Sequence, residues 1–227
     1  MDKRRKENFM GLCSDTVFKA LYKNSDSGKK FLDRLIFYIT GIDVTDFVLK
    51  NSELNYGDDV KNSFLDLLLV DKDEKRAIDI ELNKNYYDTL DIKNIIYFHK
   101  IIGYLHNKGD EYNSFIAIQI NLNAFLKIDG YDVSIINYKM YNKEHDKYLE
   151  DGSEIIFVYL PQFRESCYNG VNEKEMMLSM FNAESIEELE RVSKGNELAE
   201  SVVEELKAMQ DDPFYMTKNE RERLANK

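Results

Sequence analysis

The feature that most constrains this sequence is the segment 61–83, KNSFLDLLLVDKDEKRAIDIELN, whose residues alternate as in two β-strands joined by a polar turn. The first run, 63–70, carries Asp66 among apolar side chains on both faces. The turn lacks glycine, but its polar residues suit a hairpin connection. In the second run, 77–83, Glu81 lies on the face opposite the isoleucines. The pattern predicts a buried hairpin with one carboxylate on each strand.

A carboxylate on a strand that is apolar on both faces needs a partner. Removing the unpaired Asp66 carboxylate from water costs several kcal/mol. A divalent cation would compensate that cost, and two or three carboxylates supply the hard oxygen ligands that Mg²⁺ or Mn²⁺ requires. The alternative is that Asp66 lies at a strand end and meets a lysine or a helix N-terminus. Spacing alone leaves both interpretations open.

Several short motifs follow one another between residues 15 and 123. They are Phe18-Lys19-Ala20-Leu21, Glu53, Lys61 with Leu65-Asp66, Ile80-Glu81-Leu82-Asn83, and Lys93-Asn94 with Tyr97. Their order and spacing resemble the PD-(D/E)XK nuclease fold, and more closely its branch of nuclease-family transposases, or recombination-promoting nucleases. One position departs from the wider fold, because Asn83 stands where lysine is usual. An asparagine can orient a water molecule, but it cannot act as a cation or a general acid near neutral pH.

The resemblance implies an α/β fold with a mixed central sheet flanked by helices, and it implies a metal site. Asp66 and Glu81 would be catalytic ligands of Mg²⁺ or Mn²⁺, and the Leu82 carbonyl would complete the shell. Glu53 would be an accessory ligand. From the residues alone, Glu53 is equally a solvated carboxylate at the end of a strand.

The resemblance also assigns residues to water and substrate. Asn83 would be the catalytic residue that orients the attacking water, and Lys61 or Lys93 would hold a phosphate. Lys93 and Tyr97 belong to one stripe of a helix predicted over 89–107, which suits a wall facing phosphates. The stripe is equally explained as a solvated face with extended lysines.

The function implied by the resemblance is that of a metal-dependent DNA endonuclease in a DNA recombination or mobile-element context. The alternative is a catalytically inactive nuclease fold that acts as a binding or regulatory module, which Asn83 and the acidic charge balance favour. Action on RNA is a third possibility, since the core chemistry does not distinguish the sugars.

Net charge and composition restrict how this chain could meet DNA. The net charge is −11, which argues against binding by bulk electrostatics alone but allows a local basic site. Much of the acidic surplus lies in residues 184–212. The basic N-terminus is not a signal peptide, no segment approaches a membrane span, and Cys13 and Cys167 are two lone cysteines. We therefore expect a cytoplasmic protein with reduced thiols.

Periodicity predicts the remaining elements. A helix is expected over 15–39, broken near 24–28 and ended by Gly41. Strands are expected over 44–54, 114–121, 133–140 and 155–160. The helix over 89–107 is predicted to bury a face that comprises Ile92, Ile95, Ile96, His99 and Ile102. Gln119 interrupts its strand, where it could reach the site or satisfy a backbone group.

The chain is predicted to be helical from residue 172. Ser185 and Glu188 form a capping box, and the helix that it opens is predicted to continue past Gly195. The predicted domains are a nuclease-like domain, 1–165, and a helical extension, 166–227. The extension could pack on the core, mediate contacts of a homodimer or hold an acidic face over the site.

Overall fold

The computed structural model describes residues 9–50, 53–54, 63–105, 115–126, 133–149, 152–164 and 166–212, with backbone only at 53, 54, 63 and 64. The chain forms two compact units. One is Asp46–Tyr159, which holds the strands, and the other combines Met1–Thr45 with Leu160–Lys227 and is helical. The predicted division into domains 1–165 and 166–227 stays a prediction.

The strand unit is built on a six-stranded mixed sheet with the strand order β1-β4-β5-β6-β10-β7. The described strands are β1 (Val48–Leu49), β2 (Glu53–Leu54), β3 (Ser63–Phe64), β4 (Leu67–Val70), β5 (Arg76–Asn83), β6 (Ile116–Asn123), β7 (Ile135–Tyr138), β8 (Tyr141–Asn142), β9 (Lys147–Tyr148) and β10 (Glu154–Tyr159). β6 is parallel to both β5 and β10, and the other pairs are antiparallel. The expected α/β class with a mixed central sheet is confirmed.

The predicted hairpin is formed by β4 and β5, with Leu67 opposite Ile80. Its turn works without glycine for two reasons. The Asp71 carboxylate accepts hydrogen bonds from the backbone N–H groups of Lys75 and Arg76, at 2.8 and 3.0 Å. Glu74 supplies the left-handed conformation, with φ of 52°. The single strand expected over 44–54 is wrong, because β1 and β2 belong to different sheets.

Helix α3 (Leu90–Leu105) covers part of one face of the sheet. Phe98, Ile101 and Leu105 form one buried cluster with side chains of the sheet, namely Leu65, Leu68, Val70, Ala77 and Ala117. The alternate residues of β5 and β6 are also buried, so both faces of these central strands are covered. This burial explains why Ile78, Ile80 and Leu82 on one face of β5 are apolar, whereas Arg76 lies at the exposed start of the strand.

The predicted buried face of α3 is wrong except at Ile102, which is half-buried and packs against the core cluster. Ile92, Ile95 and Ile96 are 57%, 48% and 48% exposed, and His99 is exposed instead of packed in the core. The buried positions are Leu90, Asn94, Phe98, Ile101 and Leu105. The helix carries two apolar stripes, and periodicity does not choose between them. Burying the stripe that begins at Leu90 brings Lys93 to the sheet carboxylates.

The helical unit contains α1 (Asp15–Asn24), α2 (Asp26–Thr40), a 3₁₀ helix (Leu160–Phe163), α4 (Glu173–Met180), α5 (Ile186–Ser193) and α6 (Glu197–Asp211). The predicted break between α1 and α2 falls at Ser25, whose hydroxyl accepts a hydrogen bond from the Gly28 N–H at 3.0 Å. Gly41 ends α2 with φ of 76°, as predicted. None of the described helices is long and apolar enough to cross a membrane.

Helices from the two ends of the chain pack together in this unit. Both α1 and α2 contact α6, and α2 also contacts α4. Glu173 on α4 accepts hydrogen bonds from Arg34 at 2.9 Å, from Asn196 at 2.7 Å and from the Tyr38 hydroxyl. The rings of Phe18 and Phe181 meet edge to face at 6.2 Å. The N-terminal helices are therefore stabilised by the C-terminal ones.

Ser185 caps α5 as predicted, since the Glu188 N–H donates to the Ser185 hydroxyl at 3.2 Å. The return bond of a capping box is shifted by one residue, because the Glu188 carboxylate accepts the Glu184 N–H at 2.8 Å. The prediction that this helix continues past Gly195 is wrong. Gly195 adopts φ of 86°, and Asn196 caps a new helix by accepting the Ala199 N–H at 2.9 Å. A glycine followed by a strong capping residue thus ends one helix and starts another.

Candidate active site

Two hydrogen bonds hold the predicted carboxylates side by side. The Leu82 N–H donates to Asp66 Oδ2 at 2.9 Å, and the Asp66 N–H donates to Glu81 Oε1 at 3.1 Å. This follows from the hairpin register, which sets Leu67 opposite Ile80 and so brings Asp66 opposite Glu81. Asp66 lies in a bend between β3 and β4 and not in a continuous strand as expected, so its N–H donates to a side chain.

Lys93 reaches the same carboxylates from the first turn of α3. Its ammonium lies 2.8 Å from Glu81 Oε2 and 4.8 Å from the centre of the Tyr97 ring. Lys93 and Tyr97 face the sheet side of the helix because they flank the buried stripe that contains Asn94 and Phe98. The predicted lysine and tyrosine stripe therefore adjoins the two carboxylates.

The electrostatics of this cluster depend on how little water reaches it. Glu81 is only 2% exposed. Burial and the nearby Asp66 carboxylate raise the pKa of Glu81 to about 7, although Lys93 opposes that shift. Burial by itself would lower the pKa of Lys93, but the Glu81 carboxylate outweighs burial and raises it. Lys93 therefore carries a fixed positive charge beside a pair of carboxylates.

A third carboxyl group, Asp79, lies deeper on the same face of β5 and is fully buried. The Gln119 amide nitrogen donates to Asp79 Oδ2 at 3.2 Å, so Gln119 binds this side chain and not a backbone group. Burial, followed by the Glu81 charge, raises the pKa of Asp79 well above its usual range. Asp79 Oδ1 and Gln119 Oε1 have no hydrogen-bond partner among the described residues. Sequence reasoning singled out Gln119 but gave Asp79 no role and did not pair the two residues, although both interrupt apolar strands.

Asn83 ends the polar row on β5 and takes part in a cluster of buried amides. Its nitrogen donates to Asn123 Oδ1 at 3.0 Å and to Asn121 Oδ1 at 3.4 Å. The parallel register, which pairs Asn83 with Asn123, makes this contact possible. Asn121 and Asn123 were also missed. The signal available was their alternation with isoleucine and leucine in β6.

The remaining predicted residues are only partly described. Leu82 contributes its N–H to Asp66, as stated above. Glu53 lies in β2, opposite Phe64, and its side chain is outside the described residues. Lys61 also lies outside them. In the described part of the chain, no group of three or more His, Cys, Asp or Glu residues is arranged to hold a metal ion.

Comparison with known proteins identifies one family. The sequence profile described as PD-(D/E)XK nuclease family transposase matches residues 12–226 of the 227. The match extends well beyond the motifs at 15–123 and includes the C-terminal helices. No curated protein and no solved structure matches the chain.

Proposed function

Because the chain belongs to the PD-(D/E)XK nuclease family transposases, we propose that it is a metal-dependent DNA endonuclease acting in a recombination or mobile-element context. The family as a whole indicates a nuclease or transposition-related function. The observation that carries the finer proposal is the pair of hydrogen bonds that holds Asp66 beside Glu81, one from the Asp66 N–H to Glu81 and one from the Leu82 N–H to Asp66. They bring two carboxylates together, and burial and the Asp66 charge oppose the ionisation of Glu81.

The residues present fit a hard divalent cation. Magnesium typically uses one or two carboxylates together with water and substrate phosphates, so Asp66 and Glu81 suffice as its protein side chains. The raised pKa of Glu81, caused by burial and by Asp66, is the condition that a cation would relieve. We assign the Leu82 carbonyl and Glu53 as further ligands. The chemistry supplied by bound Mg²⁺ or Mn²⁺ is polarisation of the phosphoryl group and activation of water.

The neighbouring side chains have separate roles in this proposal. The Lys93 ammonium has three donors, so after its bond to Glu81 two remain to hold a phosphate oxygen. The side-chain nitrogen of Asn83 already has acceptors. The side-chain oxygen of Asn83 would therefore accept a hydrogen bond from the attacking water and orient it. Lys61 is a second phosphate-binding candidate, and Tyr97 contributes an aromatic surface or a hydroxyl.

Plasmid nicking tests the proposal. Wild-type protein in Mg²⁺ or Mn²⁺ is expected to nick supercoiled DNA, and EDTA to stop it. Asp66→Asn and Glu81→Gln should each reduce the rate on the order of 100-fold or more, since each removes a group that positions transition-state charge. Asp73→Asn, in the exposed turn of the same hairpin, is the matched control and should act like wild type.

One observation favours the inactive alternative, a binding or regulatory module. The Asn83 nitrogen is held by buried amides, at a position where the fold usually has a lysine. Calorimetric titration with Mn²⁺ separates the two functions. A folded wild type that binds no Mn²⁺ and nicks no DNA supports the module, whereas binding that is lost in Glu81→Gln supports the nuclease.

A further inference from the structure

A pair of aromatic rings, the exposed Tyr86 and the half-buried Phe125, lies just beyond the ends of β5, which carries Glu81, and its parallel neighbour β6. β5 and β6 run parallel and end at Asn83 and Asn123, and the Ala124 N–H donates to the Asn83 carbonyl at 2.9 Å. Tyr86 and Phe125 follow these ends closely, with ring centres 5.7 Å apart and ring planes at 59°. Tyr86 is 44% exposed.

The two strand ends that precede the rings are joined to each other. The Asn83 nitrogen binds Asn123 Oδ1 at 3.0 Å and so ties together the two strand ends that carry the rings. Asn83 is also the second residue after Glu81 on the same strand face. The carboxyl ends of parallel strands are where open α/β sheets usually bind ligands. The ring pair therefore belongs to the surroundings of the candidate active site.

A second exposed tyrosine lies in the chain between the ring pair and the helix that carries Lys93. Tyr87 is 46% exposed. Its carbonyl accepts the Leu90 N–H at 2.9 Å, so Tyr87 leads directly into the first turn of α3, which carries Lys93. Lys93 in turn lies over the Tyr97 ring. An aromatic ring and an ammonium group that can bind phosphate thus adjoin the two carboxylates. This combination suits a nucleic acid strand.

We propose that Tyr86, supported by Phe125, stacks on an unpaired nucleobase of the DNA strand that is cut at Asp66 and Glu81. This assignment rests on the proposed nuclease function and specifies its substrate class as single-stranded or locally opened DNA. Stacking on an aromatic face accepts any base, since every base has a π-face. A base inside a duplex has no free face to offer, so it must first leave the stack.

Binding without catalysis tests the stacking. A fluorescent single strand of about 15 nucleotides and its duplex are titrated in EDTA and followed by anisotropy. We expect the wild type to bind the single strand more tightly than the duplex. Tyr86→Ala should weaken single-strand binding by about 10-fold, the effect of losing one stacked base, whereas Tyr86→Phe should stay within about two-fold.

The control is another exposed tyrosine in a ring pair. Tyr148 on β9 pairs with Tyr141 on β8 at 5.1 Å and is 58% exposed, so Tyr148→Ala should bind like wild type. Equal single-strand affinity of Tyr86→Ala and Tyr148→Ala overturns the stacking assignment, and so does equal wild-type affinity for strand and duplex. If nicking still depends on Asp66, the nuclease function survives that result. Tyr86-dependent binding by a protein that never nicks supports the stacking and overturns the nuclease.

Discussion

Single residues in β5 place ionisable carboxyl groups where the surroundings least favour charge. Glu81 and Asp79 are buried on one face, and only Glu81 has a cationic partner, Lys93, among the described residues. For both carboxyl groups burial is the largest cause of a raised pKa. Such an arrangement costs folding free energy, and it is typical of functional sites. The cost of Asp79 can be measured directly.

Asp79→Asn is expected to stabilise the metal-free protein more at pH 7 than at pH 5. The raised pKa of Asp79, caused by burial and then by Glu81, means that the folded protein keeps a proton that the unfolded chain releases above about pH 4. Stability therefore falls by about 1 kcal/mol per pH unit as pH rises, until the folded-state pKa is reached. Asparagine removes this dependence. Urea unfolding in EDTA at both pH values measures the difference.

The control for this change is Asp73→Asn, because Asp73 lies exposed in the β4–β5 turn. Its effect should be the same at pH 5 and pH 7. If the benefit of Asp79→Asn does not grow with pH, Asp79 is ionised in the folded protein and the cause given above is wrong.

Asp66 and Glu81 could be predicted from the sequence because alternation fixes which side chains share a strand face. Asp79, Asn121 and Asn123 could not be interpreted in the same way. Alternation does not show whether a polar face meets water or another layer, and here both faces of β5 and β6 are covered. A polar residue on such a strand signals a partner, but the partner lies on another strand and is set by register.

Among the elements, α3 shows most clearly how tertiary packing decides between two local possibilities. Its leucine and phenylalanine stripe and its isoleucine stripe are both apolar enough to be buried. The observed choice packs Phe98 and Ile101 on the sheet and ion-pairs Lys93 with Glu81. The opposite choice would bury the isoleucines and leave Glu81 without its cation. Helical periodicity reflects the burial of apolar side chains on the sheet, but it does not reflect the ion pair between Lys93 and Glu81.

Two substitutions on α3 compare these stripes with the same residue type. Ile101→Ala is expected to lower the free energy of unfolding by about 2–5 kcal/mol, because Ile101 is fully buried against the sheet. Ile95→Ala should change it by no more than about 0.5 kcal/mol, since Ile95 is 48% exposed. Urea denaturation of both variants measures this contrast. A larger loss from Ile95→Ala would show that the isoleucine stripe is covered in solution.

Local sequence signals succeeded at two helix ends where one residue sets the backbone. Gly41 ended α2 and Ser185 capped α5 as predicted. The break at Gly195 was missed because the apolar residues on either side keep a helical spacing across it. The helical spacing of apolar residues is the same before and after this short interruption. The left-handed φ of Gly195 nevertheless does not allow the helix to continue.

At the scale of the whole molecule, the net charge of −11 limits how DNA is bound. A protein that contacts DNA through Lys93 and few other cations releases few counterions. We therefore expect the affinity for DNA in EDTA to fall by only about 10-fold between 50 and 200 mM salt, as for one or two phosphate contacts. Anisotropy titrations over this range measure the slope. A fall of about 1,000-fold would instead require an extended basic surface.

The helical unit joins the two ends of the chain, and this has a consequence during synthesis. α1 and α2 leave the ribosome first, yet α6, which both of them contact, is translated last. At bacterial and eukaryotic elongation rates, roughly 10 to 30 seconds separate the two events. For most of that interval Phe18 on α1 lacks Phe181, its edge-to-face neighbour, which is translated shortly before α6. The nascent N-terminal helices are thus expected to bind ribosome-associated chaperones until α6 has been translated.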